Sequence, residues 1–208
     1  SIAMTDDVLK MSPAQMDALR EIGNVGAGNS ATALSQIINR RIEMNVPEVS
    51  IVPLGDVPDL VGGPDSMVVG VFLRVYGQAP SNILFLLPKD SAFYLVDMLM
   101  GKSHGATQKL DFMDESALME IGNILAGAYL NALFNFTNIS LLPSIPALAM
   151  DMAGAILSVV LVQLGQRGDH ALVSETEFKA EDEGIKGHFF LVPDPGSLET
   201  ILSAVGVE

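Results

Sequence analysis

From Pro13 to about Asn39, apolar and small residues return every three or four positions, the spacing of a helix with one buried side. Ser12 and Pro13 supply a cap and a first-turn proline at its start. The pattern then changes to alternation and short apolar runs, which predict strands over 46–54, 66–76 and 81–88. A short helix over 89–101 follows, ended by Gly101. The same succession then begins again. A second long helix is expected from 111–114 to about Phe136, then strands near 147–151, 155–164, 170–179 and 186–192, then a last helix over 197–205. The stretch 153–162 is apolar or small throughout and too short to cross a bilayer, so it reads as a buried strand. The charged stretch 179–187 reads as a hairpin loop.

The recurrence extends to the residues themselves. With an offset of 99, EIGNVGAG (21–28) lies over EIGNILAG (120–127), and Pro47 lies over Pro146. Further on, FLLPKDS (85–91) resembles FLVPDPGS (190–197). Three matches in one order point to an internal duplication. The expectation is one domain over 1–208 made of two repeats, 11–106 and 107–208, joined through 107–111. That joint is too short for independent movement. The expected fold class is α+β in two layers, built from duplicated α-β-β-β units with pseudo-twofold symmetry. The two long helices would pack on a mainly antiparallel sheet.

A helical wheel separates two sides of each long helix. Leu19, Ile22, Gly26, Ala33 and Ile37 gather on one side of the first, and Leu118, Ile121, Leu125, Ala132 and Phe136 on one side of the second. Asp17, Glu21, Asn24 and Gly28 lie opposite in the first, as do Ser116, Glu120, Asn123 and Gly127 in the second. Core packing does not explain a glycine on the polar side, but an open surface for a protruding partner does. An exposed Glu and Asn are commonly plain solvated surface, and a duplication alone preserves letters. Neighbouring exposed positions have diverged, however: Arg20 corresponds to Met119, and Asn29 to Ala128. Glu and Asn one turn apart share a face. The carboxylate can pair with a lysine, and the amide can hold a water. Both asparagines are expected to be accessible. Their replacement by alanine is expected to leave the fold intact or slightly steadier.

Composition narrows the chemistry. The 208-residue chain is 49% hydrophobic and 17% charged, which suits a folded protein. Its formal charge of −14, with no basic cluster, argues against nucleic acid or an anionic membrane as partner. There are no cysteines, so disulfides and thiolate metal sites are excluded. The N-terminal stretch lacks the pattern of a signal peptide. Residues 23–30, GNVGAGNS, superficially resemble a phosphate loop but lack its lysine and lie inside the helical pattern. His104, His170 and His188 are scattered and read as surface residues. Asp17, Glu21 and Asn24 make a poor zinc set, so no metal ligand is assigned.

The spacing Asp/Ser-x3-Glu-x2-Asn-x22-Pro resembles that of the CheC-type phosphatases of chemotaxis, a family that includes CheX and the N-terminal portion of FliY. It occurs twice: Asp17, Glu21, Asn24 and Pro47, then Ser116, Glu120, Asn123 and Pro146. The resemblance covers residues 11 to 205. Two intact copies, with no flagellar switch domain after them before Glu208, are similar to the CheC branch. The resemblance implies a hydrolase acting on the aspartyl phosphate of the response regulator CheY. Asn24 and Asn123 would orient the attacking water, and Glu21 and Glu120 would pair with the regulator's lysine. Gly28, Gly127, Pro47, Pro146, Asp17 and Ser116 would support the motif. It implies no cofactor of the protein's own, Mg²⁺ supplied by the bound regulator, CheD as a further partner and a cytoplasmic location. A non-catalytic adaptor for CheY or CheD, or a flagellar switch-associated protein, stays open as the alternative.

Overall fold

A computed structural model of the protein describes residues 11–163, 170–180 and 183–206. The first long helix, α1 (Pro13–Ile38), opens with a reciprocal capping box between Ser12 and Gln15. It closes on Asn39 in the left-handed conformation, with φ 53°. The second, α4 (Phe112–Thr137), repeats both devices, with a box between Asp111 and Asp114 and a left-handed Asn138, φ 62°. Between them come β1 (Ile42–Pro53), a 3-10 turn (Leu54–Asp56), α2 (Val57–Leu60), β2 (Met67–Gly77), β3 (Ser81–Pro88) and α3 (Lys89–Leu99). After α4 come β4 (Leu141–Pro143), β5 (Ala147–Met152), α5 (Ala153–Gln163), β6 (His170–Ala180), β7 (Glu183–Pro193) and α6 (Ser197–Val205).

All seven strands join one antiparallel sheet in the order β1-β6-β7-β3-β2-β4, with β5 also on β2. The order reads alike from either end. β3 and β7 form the centre, where Phe85 faces Phe189. β1 crosses to pair with β6, Ile42 opposite Ala180, while β4 and β5 cross the other way to pair with β2. Each half of the chain therefore places its first strand beside a strand of the other half.

Alternation along the strands sends side chains to two cores. Val69, Val71, Leu73, Ile83, Phe85, Leu87, Phe189 and Leu191 meet α1, α3, α4 and α6. Val68, Leu84, Leu86, Val173, Phe190 and Val192 meet the 3-10 turn, α2 and α5 on the other face. The expected two layers are thus three, because strands buried on both faces need cover on both.

The added cover comes largely from α5, which corrects the strand expected over 155–164. Ala153, Ile156, Leu157 and Val160 are buried at helical spacing, and Val159 and Val162 face outward. A run apolar on every side carries no period that separates strand from helix. The hairpin loop expected over 179–187 is also shorter. The β6–β7 ladder runs to Ala180 opposite Glu183, with Ile185 buried; residues 181 and 182 lie outside the described residues.

The long helices lie side by side. A Cβ on Gly26 would come within 3.1 Å of the Tyr129 backbone, closer than side chains ordinarily sit, so glycine favours this approach. The buried track then advances in four-residue steps, through Ala27 and Ala31 in α1 and Ala126 and Leu130 in α4. Such a track drifts around the axis, which is why Ile37 and Phe136, expected on the buried sides, are 60% and 46% exposed. Where the halves join, Asp97 at the end of α3 is 1% exposed. Its carboxylate accepts from the Gly105 and Thr107 amides and the Thr107 hydroxyl. Burial alone would raise its pKa, but these donors hold it below the ordinary carboxylate value.

Candidate functional site: two helix faces, one closed and one open

Glu21 and Glu120 are exposed on α1 and α4, and neither makes an ion pair or hydrogen bond among the described residues. Both carboxylates are thus available for a positive partner. One turn further on are Asn24 and Asn123, each half-buried. Asp17 is exposed, and Ser116 half-buried, one turn before each glutamate. A Cβ added to Gly28 or to Gly127 would meet nothing within 4 Å, so no packing inside the fold accounts for either glycine.

The two asparagines differ. Asn24 Oδ1 accepts from the Val46 amide at 2.8 Å, and its Nδ2 donates to the Val46 carbonyl at 3.1 Å and the Arg20 carbonyl at 3.0 Å. The carboxamide behaves as an extra peptide unit beside β1. It serves a β-bulge, where Val46 and Pro47 both stand opposite Thr176 between the Asn45–Glu177 and Glu48–Glu175 pairs. Pro47 has no amide hydrogen and the Val46 amide is held by Asn24. Asn123 has no side-chain hydrogen bond among the described residues. Both asparagines are half-buried and keep part of the accessibility expected of them, but Asn24 is engaged by the backbone of Val46. The x22 spacing from Asn24 to Pro47 was visible in the sequence. Its meaning was not, because the partner is the backbone of Val46.

Pro146 lies in the break between β4 and β5, where residues 144–146 stand opposite Leu73 and Arg74. Ser144 and Ile145 there line a cleft of about 620 Å³ with Phe72, Asn82, Leu84 and Val160. Beside it Arg74 and Asp194 form a bidentate ion pair that ties β2 to the segment after β7. No group of three or more His, Asp or Glu converges as a metal site among the described residues. Of the histidines, His188 is not simply on the surface. It is half-buried beside Glu175 and Phe190, and burial lowers its pKa.

By length and composition α4 could cross a membrane, but half of its most apolar window is buried in the fold. Instead, its apolar side is a core element of the sheet. The CheC-like family model matches residues 15–51 and 113–149, one segment on each helix. The chain is 40% identical over 196 residues to the CheY-P phosphatase CheC of Bacillus subtilis strain 168, covering 92% of this chain and 94% of that protein. It is 32% identical over 127 residues to the flagellar motor switch phosphatase FliY of the same organism, covering 61% of this chain and 32% of FliY. Among solved structures, Thermotoga maritima FliY superposes with a TM-score of 0.75 at 22% identity, covering 94% of this chain and 97% of that one. The middle domain of FliM from H. pylori superposes at 0.68 with 15% identity, covering 93% and 99%; both superpositions speak for the fold alone. The chain belongs to the CheC-like family of chemotaxis proteins, together with CheX and FliY.

Proposed function

We propose that this protein hydrolyses the aspartyl phosphate of the response regulator CheY, at two similar sites on α1 and α4. The observation that carries this reading is the free carboxylate, asparagine and open glycine set at the same spacing on both helices, in a chain 40% identical to a CheY-P phosphatase. Glu21 or Glu120 pairs with a lysine of the regulator, a charge-assisted contact that aligns the two surfaces. Gly28 or Gly127 leaves room for the regulator's protruding loop. Asn24 or Asn123 then enters the phosphorylated site and orients a water in line with the acyl phosphate.

Acyl phosphate hydrolysis depends more on placing that water than on a strong base, so one amide suffices. Mg²⁺ comes with the regulator and neutralises charge on the phosphoryl oxygens. The two repeats, 11–106 and 107–208, form one domain, which fits the family match to each helix and the palindromic strand order. CheD is a further partner, and the cytoplasm is where these partners meet.

The engaged Asn24 keeps a second reading in play for the first copy: a non-catalytic regulator-binding face. Phosphate release from phosphorylated CheY, with Mg²⁺ and catalytic amounts of this protein, is the test. The parent should accelerate release, and Asn24→Ala with Asn123→Ala together should abolish the acceleration while binding persists. A double variant that turns over at the parental rate would leave only the adaptor reading.

A further inference from the structure

We propose that Ser144 is a positioning residue that keeps Asn123 free for catalysis, so that the second site rests open while the first rests latched by its own asparagine. The proposal rests on the phosphatase reading above and adds which site is ready and why.

The duplication supplies the comparison. With the offset of 99, Asn24, Asn45, Val46 and Pro47 correspond to Asn123, Ser144, Ile145 and Pro146. In the first copy the bulge exposes an unused amide and carbonyl on Val46, and Asn24 binds both. Val46 is 3% exposed and packs over Gly23, where a Cβ would lie 3.4 Å from its side chain. Asn45 is exposed and makes no side-chain hydrogen bond among the described residues, so it gives the bulge no alternative partner.

In the second copy Ser144 takes over. Its hydroxyl accepts from the Arg74 amide at 2.8 Å and donates to the Ile145 carbonyl at 3.0 Å, and its own amide donates to the Arg74 carbonyl at 2.7 Å. The carbonyl corresponding to that of Val46 is thereby occupied without Asn123. Ile145 is 90% exposed and lines the cleft that Phe72, Leu84 and Val160 share, on the sheet face away from α4. The space over Gly122 is filled by Val71 instead, whose side chain would be 2.5 Å from a Cβ there. One motif thus stands in two states within one molecule. An Asn24 that must leave Val46 before it can reach a phosphoryl group loses turnover by about tenfold, the worth of a hydrogen-bond pair exchanged for water.

The test joins spectroscopy and kinetics on the full chain. Side-chain carboxamide signals, assigned by Asn24→Asp and Asn123→Asp, are followed by hydrogen exchange in the free protein. Asn24 should be protected, and Asn123 should exchange at the rate of a solvated amide. Each site is then assayed alone. Asn123→Ala, which leaves the first site, should turn over about tenfold more slowly than Asn24→Ala, which leaves the second. On the Asn24→Ala background, Ser144→Ala should protect the Asn123 carboxamide and lower kcat with KM for the regulator unchanged, since Glu120 is untouched. Ser144→Thr should restore both. Equal exchange of the two carboxamides in the parent protein overturns the proposal, even if Ser144→Ala fails to fold. So does a Ser144→Ala protein that keeps kcat and an exposed Asn123. Parent protein that releases no phosphate, while the exchange contrast holds, sinks the phosphatase reading but not the latch.

Discussion

At the scale of single residues, two asparagines with the same four-letter surroundings have different duties. Asn24→Ala leaves the Val46 amide and carbonyl to water, so it should lower stability by about 1–2 kcal/mol, a fall of several degrees in Tm. Asn123→Ala removes no hydrogen bond and replaces a poor helix former, so Tm should hold or rise by a fraction of that. Paired thermal melts separate the two; equal shifts would mean that the Val46 contact has no energetic weight. The sequence carried the candidate site as far as the helix face that its side chains share. Glu21, Asn24, Gly28 and their second copies were readable from spacing on a helix. The latch was not, because its far side is a peptide group and any residue but proline at 46 supplies one. Ser144 escaped for a related reason, since its role depends on the amide of Arg74, a residue 70 positions earlier.

The elements show why glycines in one helix take opposite roles. Gly26 and Gly28 are two residues apart on α1, yet Gly26 faces the Tyr129 backbone and Gly28 faces open space. Gly26→Ala should push α1 and α4 apart and destabilise by about 1–3 kcal/mol. Gly28→Ala should stabilise by up to about 1 kcal/mol through helix propensity, while phosphate release at the first site declines. Denaturant midpoints and single-site kinetics measure both arms. A Gly28→Ala protein that is steadier and fully active would remove the docking role assigned to that position. Element identity was legible wherever local chemistry marks it, as at Ser12 with Pro13 and at Gly101 after α3. It was not legible over Ala153–Gln163, where an unbroken apolar stretch hides the spacing of Ala153, Ile156, Leu157 and Val160. The third layer went unseen with it.

For the whole molecule, the exchanged strands should make the halves unfold together, and a single unfolding transition is expected by all probes. The buried Asp97 carboxylate adds a pH dependence where the halves join. Its native pKa lies below the unfolded value of about 3.9, so its stabilisation is complete above that value and is lost as pH falls through the native one. Asp97→Asn should therefore be less stable than the parent at pH 7, with the gap closing as pH falls below about 4. Unfolding midpoints from pH 7 to 2.5 report this, and a constant gap would contradict the assignment. The β2–β3 and β6–β7 hairpins join neighbouring stretches, but the pairings of β1 with β6, β3 with β7, and β4 and β5 with β2 were beyond the sequence because they join stretches that share no local signal. The pairing of Ile42 with Ala180 also bears on how the chain is made. During synthesis β1 emerges long before β6 exists, so its free edge must wait until residues 170–180 follow. Closing such distant loops is entropically slow, and high contact order predicts folding in the slow range for its size. The N-terminal half would meet the ribosome's surroundings as an unmatched partner, a natural client for chaperones until the last strands arrive.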